Sequence, residues 1–254
     1  MENGIHVVLA PEQLGTFWGL PITNTLLTSW VVIAVLVVVA LVIGSRVRMV
    51  PNRFQTLLEW LFGFVYDYIA EILESRDMAR RFFPLLCTIF LFIFTSNLLE
   101  FTPGIGSFGL THPSTGSGQV AEFIPLLRSV NTDLNVTLML AILSFLVIEI
   151  TGIVTIGVVK YAGKFFQNPF KSPIGFLVGF IELFSEIARI ISFSFRLFGN
   201  IFAGEVLILV VIFFLPYVAP VPVMMFEVFV GFVQAAIFAL LTLFFIKIAI
   251  AEPH

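Results

Sequence analysis

Apolar positions fill this chain in runs too long for a soluble core, and polar positions gather between the runs. NTLLTSWVVIAVLVVVALVIG, from Asn24 to Gly44, carries no charge. Its length matches a hydrocarbon layer ~30 Å thick, so a first membrane span is expected at 24–44. The stretch 51–75 reads differently. Phe54, Leu57, Leu58, Leu61, Phe62, Val65, Ile69, Ile72 and Leu73 recur on one helical face, with Gln55, Glu59, Asp67 and Glu74 opposite. A helix with acids at its middle does not cross a bilayer, so this one is expected to lie in the interface. Arg80 and Arg81 then lead into FFPLLCTIFLFIFTSNLLEF, the expected second span at 82–102. A loop rich in Gly, Pro and Ser occupies 103–132, and a third span is expected at 133–159.

The remaining pattern is one long apolar stretch. Ser172-Pro173 is a helix start, with Ser as the cap and Pro in the first turn. The next proline is Pro216, and neither proline nor Asn-Gly marks a turn near 192–196. One helix is therefore expected over 173–215, ~65 Å long, strongly tilted or lying partly along the membrane. PYVAPVP, Pro216 to Pro222, is the turn, and 223–250 returns as a last helix.

Composition agrees with this layout. The chain has 254 residues, of which 59% are hydrophobic and 11% charged; soluble domains carry about 25% charge. The fold class expected is an all-α integral membrane protein, a single membrane domain over 1–254. Nine basic residues fall in the segments placed inside and one, Arg128, in the 103–132 loop. Basic flanks stay cytoplasmic, so the tail at 1–23 is expected outside and the C-terminus inside. The first 23 residues have no basic start, so no cleavable leader is expected. Cys87 stands alone, which leaves no internal disulfide and suggests a packing role.

Charge inside the apolar stretches carries the chemistry. Arg196 lies in ISFSFRLFGNIFAGEVLILVV, more than ten mostly apolar residues from either end of the long stretch. Arginine stays charged, and at that depth it costs roughly 2.5–3.5 kcal/mol on insertion scales. Snorkelling to a surface does not suit such a position, so an ion pathway is the expected role. Glu182, Glu186, Arg189, Arg196 and Asn200 recur along one face of the helix, with Ser185 and Ser192 close by. Pairing within that stripe, as between Glu186 and Arg189, is the competing structural role. Glu205 falls on roughly the opposite side from Arg196. A turn centred near residue 216 sets Arg196 level with Gln234 and Glu205 level with Glu227. Two carboxylates facing each other out of water cannot both be ionised cheaply, so the two are expected to share a proton. Glu227 has the alternative role of a lone buried acid, and Gln234 that of a hydrogen bond between helices. Asn97 and Glu100 sit at the outer end of the second span, Asp133 and Asn135 at that of the third, and Glu149 within the third. GxxxxGK[ST] and HExxH are absent, so nucleotide hydrolysis and zinc chemistry on this chain are not expected.

SFRLFGNIFAGE with the downstream FVGFVQAAIFALLTLFFI closely resembles the signature of subunit a of F-type ATP synthases. SNLLEFTPG and DLNVTL are similar to that family's corresponding segments, and the likeness runs from the first span onward. It implies four membrane helices plus one interfacial amphipathic helix, the last two helices forming a long tilted hairpin. It also implies a stator that offers two offset proton half-channels to a rotating ring of c subunits, in a bacterial inner membrane. Peripheral-stalk b subunits, the rest of the synthase and the lipid bilayer would be its partners, with no nucleic acid, cofactor or metal. The chain would be no enzyme on its own. Arg196 matches the arginine that faces the ring carboxylates and bars direct passage. Asn200, Glu205, Glu227 and Gln234 match polar positions of the outer channel, to which Asn97, Glu100, Asp133 and Asn135 are added. Glu182 matches an acid of the exit side, where Glu186 and Ser192 are expected to help line the path. In several relatives one of the positions held here by Glu205 and Glu227 is a histidine. The ring's own ligands would decide between H⁺ and Na⁺. The alternative is an ion-coupled secondary transporter, which would need broken helices around a midplane cavity.

Overall fold

The computed structural model describes residues 11–17, 19–101, 109–112, 122–165 and 173–251. In order these form β1 (Gln13–Phe17), β2 (Leu20–Thr23), α1 (Asn24–Ser45), α2 (Arg53–Leu73), α3 (Arg76–Glu100), β3 (Gly109–His112), β4 (Glu122–Pro125), α4 (Leu134–Ile156), α5 (Val158–Phe165), α6 (Pro173–Phe214) and α7 (Pro220–Ile250). Five helices, α1, α3, α4, α6 and α7, are long and apolar enough to cross a membrane by length and composition. The protein is an all-α membrane protein. Among the described residues these five helices match the five apolar segments read along the sequence. Two small antiparallel hairpins, β1–β2 and β3–β4, and the short α5 are additions that hydrophobic periodicity does not reveal.

Two compact units share the chain. The first takes the described parts of Met1–Val50, Phe90–Val136 and Phe198–Ala235. Here α1 is polar at its start and at its last residue, Ser45. Thr23 caps it by accepting from the Leu26 amide at 3.3 Å. The buried Thr28 and Ser29 return their hydroxyls to the carbonyls of Asn24 and Thr25, at 2.9 and 2.8 Å. Thr25 donates to Asp133 at 2.7 Å, and Thr28 accepts from the Arg128 amide at 3.1 Å. Beyond Val32 most of the helix is exposed valine, leucine and isoleucine. That surface suits lipid, which needs only that backbone polar groups be satisfied within the helix. Phe90 and Phe94 both meet the Phe232 ring edge-on, at 5.7 and 5.6 Å.

The second unit takes the described parts of Pro51–Ile89, Thr137–Leu197 and Ala236–His254. Its core sets Ile69 and Leu73 of α2 with Ala79, Phe82 and Leu86 of α3, Ile148 of α4, and Leu243, Ile246 and Ala249 of α7. Phe62 and Tyr66 present their rings edge-on to Phe83. Glu59 and Asp67 are exposed on α2, but so are Phe54, Leu57 and Leu61 of the expected apolar face, which packs only toward its end at Ile69 and Leu73. Glu74 ends that helix with φ 54, in the left-handed region. Ser75 then starts α3 by accepting from the Met78 amide at 3.3 Å, so Arg80 and Arg81 lie inside α3, not ahead of it. Pro84 also sits within α3, where it denies the Arg80 carbonyl its usual donor. Gly157, at φ +93, ends α4 and opens α5. The stretch read as one span to residue 159 is thus two helices. The hairpin helices match their expected extents closely, although α7 begins at Pro220. The expected cap Ser172 lies outside the described residues.

Candidate functional site

In the first unit, carboxylates and amides from three helices and one connecting segment converge. Asn97, on the last turn of α3, is 2% exposed and uses both ends of its amide. It donates to the Gly231 carbonyl at 3.1 Å and accepts from Asn131 at 2.6 Å. Asn131 also donates to the Ile93 carbonyl at 3.3 Å. Gly231 is required here, because a Cβ would stand 2.9 Å from that of Asn97. Hydrogen bonds between membrane helices average about 0.6 kcal/mol and reach ~1.7. This chain of amides therefore sets the position of α3 against α7 more than it sets overall stability.

Glu100, one turn further, accepts from the Ser129 hydroxyl at 2.7 Å. Glu205, Glu227 and Arg128 lie close enough to act on its charge. Glu227, on α7, is 6% exposed, and its carboxyl occupies the space that a Cβ on Gly204 would need. That contact sets the hairpin register about residue 216 and brings the Glu205 and Glu227 positions to one level. Glu205 is half-buried beside Arg128 and Thr132, and its Oε2 is buried with no hydrogen-bond partner among the described residues. Gln234 is buried one turn beyond Gly231. Three acids and one arginine therefore share this region. The sequence pattern pairs two of the acids. The sequence reading sets Glu100 on the same outer path, and it misses that Arg128, the lone base of its loop, is the local counter-charge. Asp133 and Asn135 act more locally. Asp133 accepts from the Asn135 amide at 2.9 Å and from its side chain at 3.1 Å, which caps α4.

The second unit holds the other polar residues of α6. Glu186 is 4% exposed and accepts from Arg189, whose guanidinium lies 4.0 Å over the Phe245 ring. The competing structural role is the observed contact for this pair. A buried acid beside an arginine is held there chiefly because breaking the pair would strand a charge. Glu182 is half-buried one turn earlier. Ser194 and Thr137, both buried, place their hydroxyls 3.2 Å apart and pin α6 to α4.

Arg196 behaves differently. Its side chain is exposed, and its one hydrogen bond among the described residues is to the Ser192 hydroxyl at 3.3 Å. It forms no ion pair among the described residues. The face around it carries small or polar exposed residues, Ser185, Ala188, Ser192, Gly199, Asn200 and Ala203. The five stripe residues spread over about 80° of arc. Glu186 falls on the packed edge of that arc and Arg196 on the open one, with Asn200 midway between them. An exposed arginine in an apolar helix requires an anion, and the described residues present none to it.

Comparison with known proteins agrees with these features. Residues 26–247 match the family model described as the ATP synthase A chain. The ATP synthase subunit a of Syntrophobacter fumaroxidans is 32% identical over 99% of this chain and 94% of its own length. That of Moorella thermoacetica is 29% identical over 93% of this chain and 94% of its own length. That of Campylobacter fetus is 30% identical over 88% of this chain and 90% of its own length. A match over most of the sequence, with an arginine on the long helix that has no ion pair among the described residues and carboxylates gathered beside the hairpin, places the chain in the ATP synthase A chain family.

Proposed function

We propose that this chain is the stationary membrane subunit of a rotary ATP synthase, carrying protons between two offset half-channels by way of a ring of c subunits. The observation behind this is the exposed Arg196, without an ion pair among the described residues, on a face of small or polar residues. A ring carboxylate moving past that face must be neutral against lipid and is favoured as an anion beside the guanidinium. Protons enter from the outer side through Asn97, Glu100, Asp133, Asn135, Asn200, Glu205, Glu227 and Gln234, with Arg128 as the counter-charge. They leave to the cytoplasm past Glu182, Glu186 and Ser192. Arg196 separates the two paths, so passage requires rotation. Each charge crossing 100 mV supplies ~2.3 kcal/mol of work. In this reading the chain binds no nucleotide, docks peripheral-stalk b subunits, and sits in the bacterial inner membrane with its N-terminus outside.

The test is Arg196→Ala in the whole complex in membrane vesicles. ATP-driven proton pumping and ATP synthesis should fall to background while the complex still assembles. Passive proton leak should persist or rise. Coupled synthesis retained by the variant would refute the barrier role.

A further inference from the structure

Glu149 is the acid that this mechanism leaves unused. It lies in LSFLVIEITGIVTI, well inside α4, where helix packing alone would be served by leucine. Acids placed so deep in membrane helices are costly and mark ion paths more often than packing.

Its surroundings are built around it. Oε2 accepts from the Tyr161 hydroxyl at 2.9 Å. Oε1 is buried and meets no hydrogen-bonding group among the described residues. Tyr161 belongs to α5, which the Gly157 turn sends off from the end of α4, and it is 5% exposed. Gly152 gives its ring room: a Cβ there would strike the ring and come 3.1 Å from the Ala249 carbonyl. Phe165 meets the ring edge at 5.7 Å. Burial first, then the bond to Glu149, pushes the Tyr161 hydroxyl above its ordinary range, with Glu186 adding to the effect and Arg189 opposing it. Tyr161 thus remains a donor across physiological pH, while the Glu186–Arg189 pair stands within electrostatic reach.

The two oxygens of Glu149 therefore have different roles. One is fixed by a donor that does not release its proton, and the other is buried with no partner among the described residues. We propose that Glu149 is a further proton carrier on the exit side, with Tyr161 as its positioning residue. A hydronium ion entering the site breaks one of its O–H bonds as the O–H bond at Oε1 forms, which leaves water and the neutral acid. A second water on the inner side then takes that proton as hydronium, which restores the carboxylate, while Tyr161 holds Oε2 throughout. The inference rests on the reading of the chain as a proton-translocating subunit and extends its exit path from α6 to α4. Groups acting on the site are Tyr161 of α5 and Glu186 and Arg189 of α6.

The experiment measures ATP-driven pumping, and passive proton conduction after removal of the soluble head, in vesicles carrying the whole complex. Glu149→Gln keeps the acceptor for Tyr161 and the side-chain volume but cannot carry a proton, so flux should fall about tenfold or more. Glu149→Asp should restore part of that flux with a shifted pH midpoint. Tyr161→Phe should retain most of the flux and shift the midpoint too. Wild-type flux and an unchanged pH profile in assembled Glu149→Gln would overturn the proposal, since a merely structural acceptor survives that change. If Glu149→Gln fails to assemble, Glu149→Asp decides, and an unmoved midpoint overturns the proposal. Arg196→Ala, measured alongside, separates the two readings. Its loss of coupling with Glu149→Gln intact refutes the carrier alone, whereas its retained coupling refutes the stator reading itself.

Discussion

A missing side chain at Gly204 lets the Glu227 carboxyl lie against the backbone of α6. Gly204→Ala would force that carboxyl away from Glu205 and Glu100, or spread the hairpin. Overpacking of this kind costs roughly 1–3 kcal/mol. We expect Gly204→Ala to assemble with a lower melting temperature and to slow proton uptake from the outer side several-fold. Gly63→Ala in α2, with open space around it, should change neither. Thermal unfolding and proton-uptake rates on the two variants check this. Much at this scale was legible: Arg196 declared itself by cost, and Glu205 with Glu227 by counting from the turn. Glu100 was placed near them by its position at the outer end of the second span, but Arg128 did not declare itself, because it comes from a loop whose path no periodicity encodes. The pairing of Glu186 with Arg189 was one of the two roles their spacing offered, whereas the partner of Glu149 was hidden, since it depends on where α5 turns after Gly157.

At the scale of elements, one exposed ion pair joins the end of α2 to the last turn of α7. Lys247 donates to Glu74 at 2.6 Å. That bond, and then the lysine's charge, hold the Glu74 carboxyl below the usual carboxylate range. Its contribution is present above the unfolded value, ~4.3 for free Glu. It is lost as pH falls through the lowered folded value. Amide exchange at the end of α2, corrected for its intrinsic pH dependence, should therefore rise below about pH 4. In Glu74→Gln it should be raised already and show no such step; a step that survives the substitution assigns the effect elsewhere. The long helix α6 was legible because nothing in its sequence can stop it. By contrast, the break between α4 and α5 rests on one glycine, and glycines are common inside membrane helices. The start of α3 was hidden for the opposite reason: Arg76, Arg80 and Arg81 look like a flank, yet Ser75 caps the helix before them.

For the whole molecule, the decisive measurement is orientation. In a background without Cys87, cysteines replacing Glu59 or Asp67 on the exposed side of α2 should react with membrane-impermeant thiol reagents from the cytoplasmic side only. Labelling from the outer side would reverse the topology drawn from the basic residues. The length of α6 bears on the same arrangement. Its 42 residues make an axis of roughly 63 Å, against a hydrocarbon layer of ~30 Å. Held within that layer, the axis must lean by about 60° from the membrane normal. Each residue then advances roughly 0.7 Å in depth and 1.3 Å sideways. Distance along the sequence of α6 becomes mainly lateral distance in the plane of the membrane. Of the roughly 21 Å of axis between Glu182 and Arg196, about 18 Å is displacement across the membrane plane. Inserting one extra turn between them would slide the acid sideways while nearly keeping its depth and its face, so this helix works as a ruler laid along the bilayer.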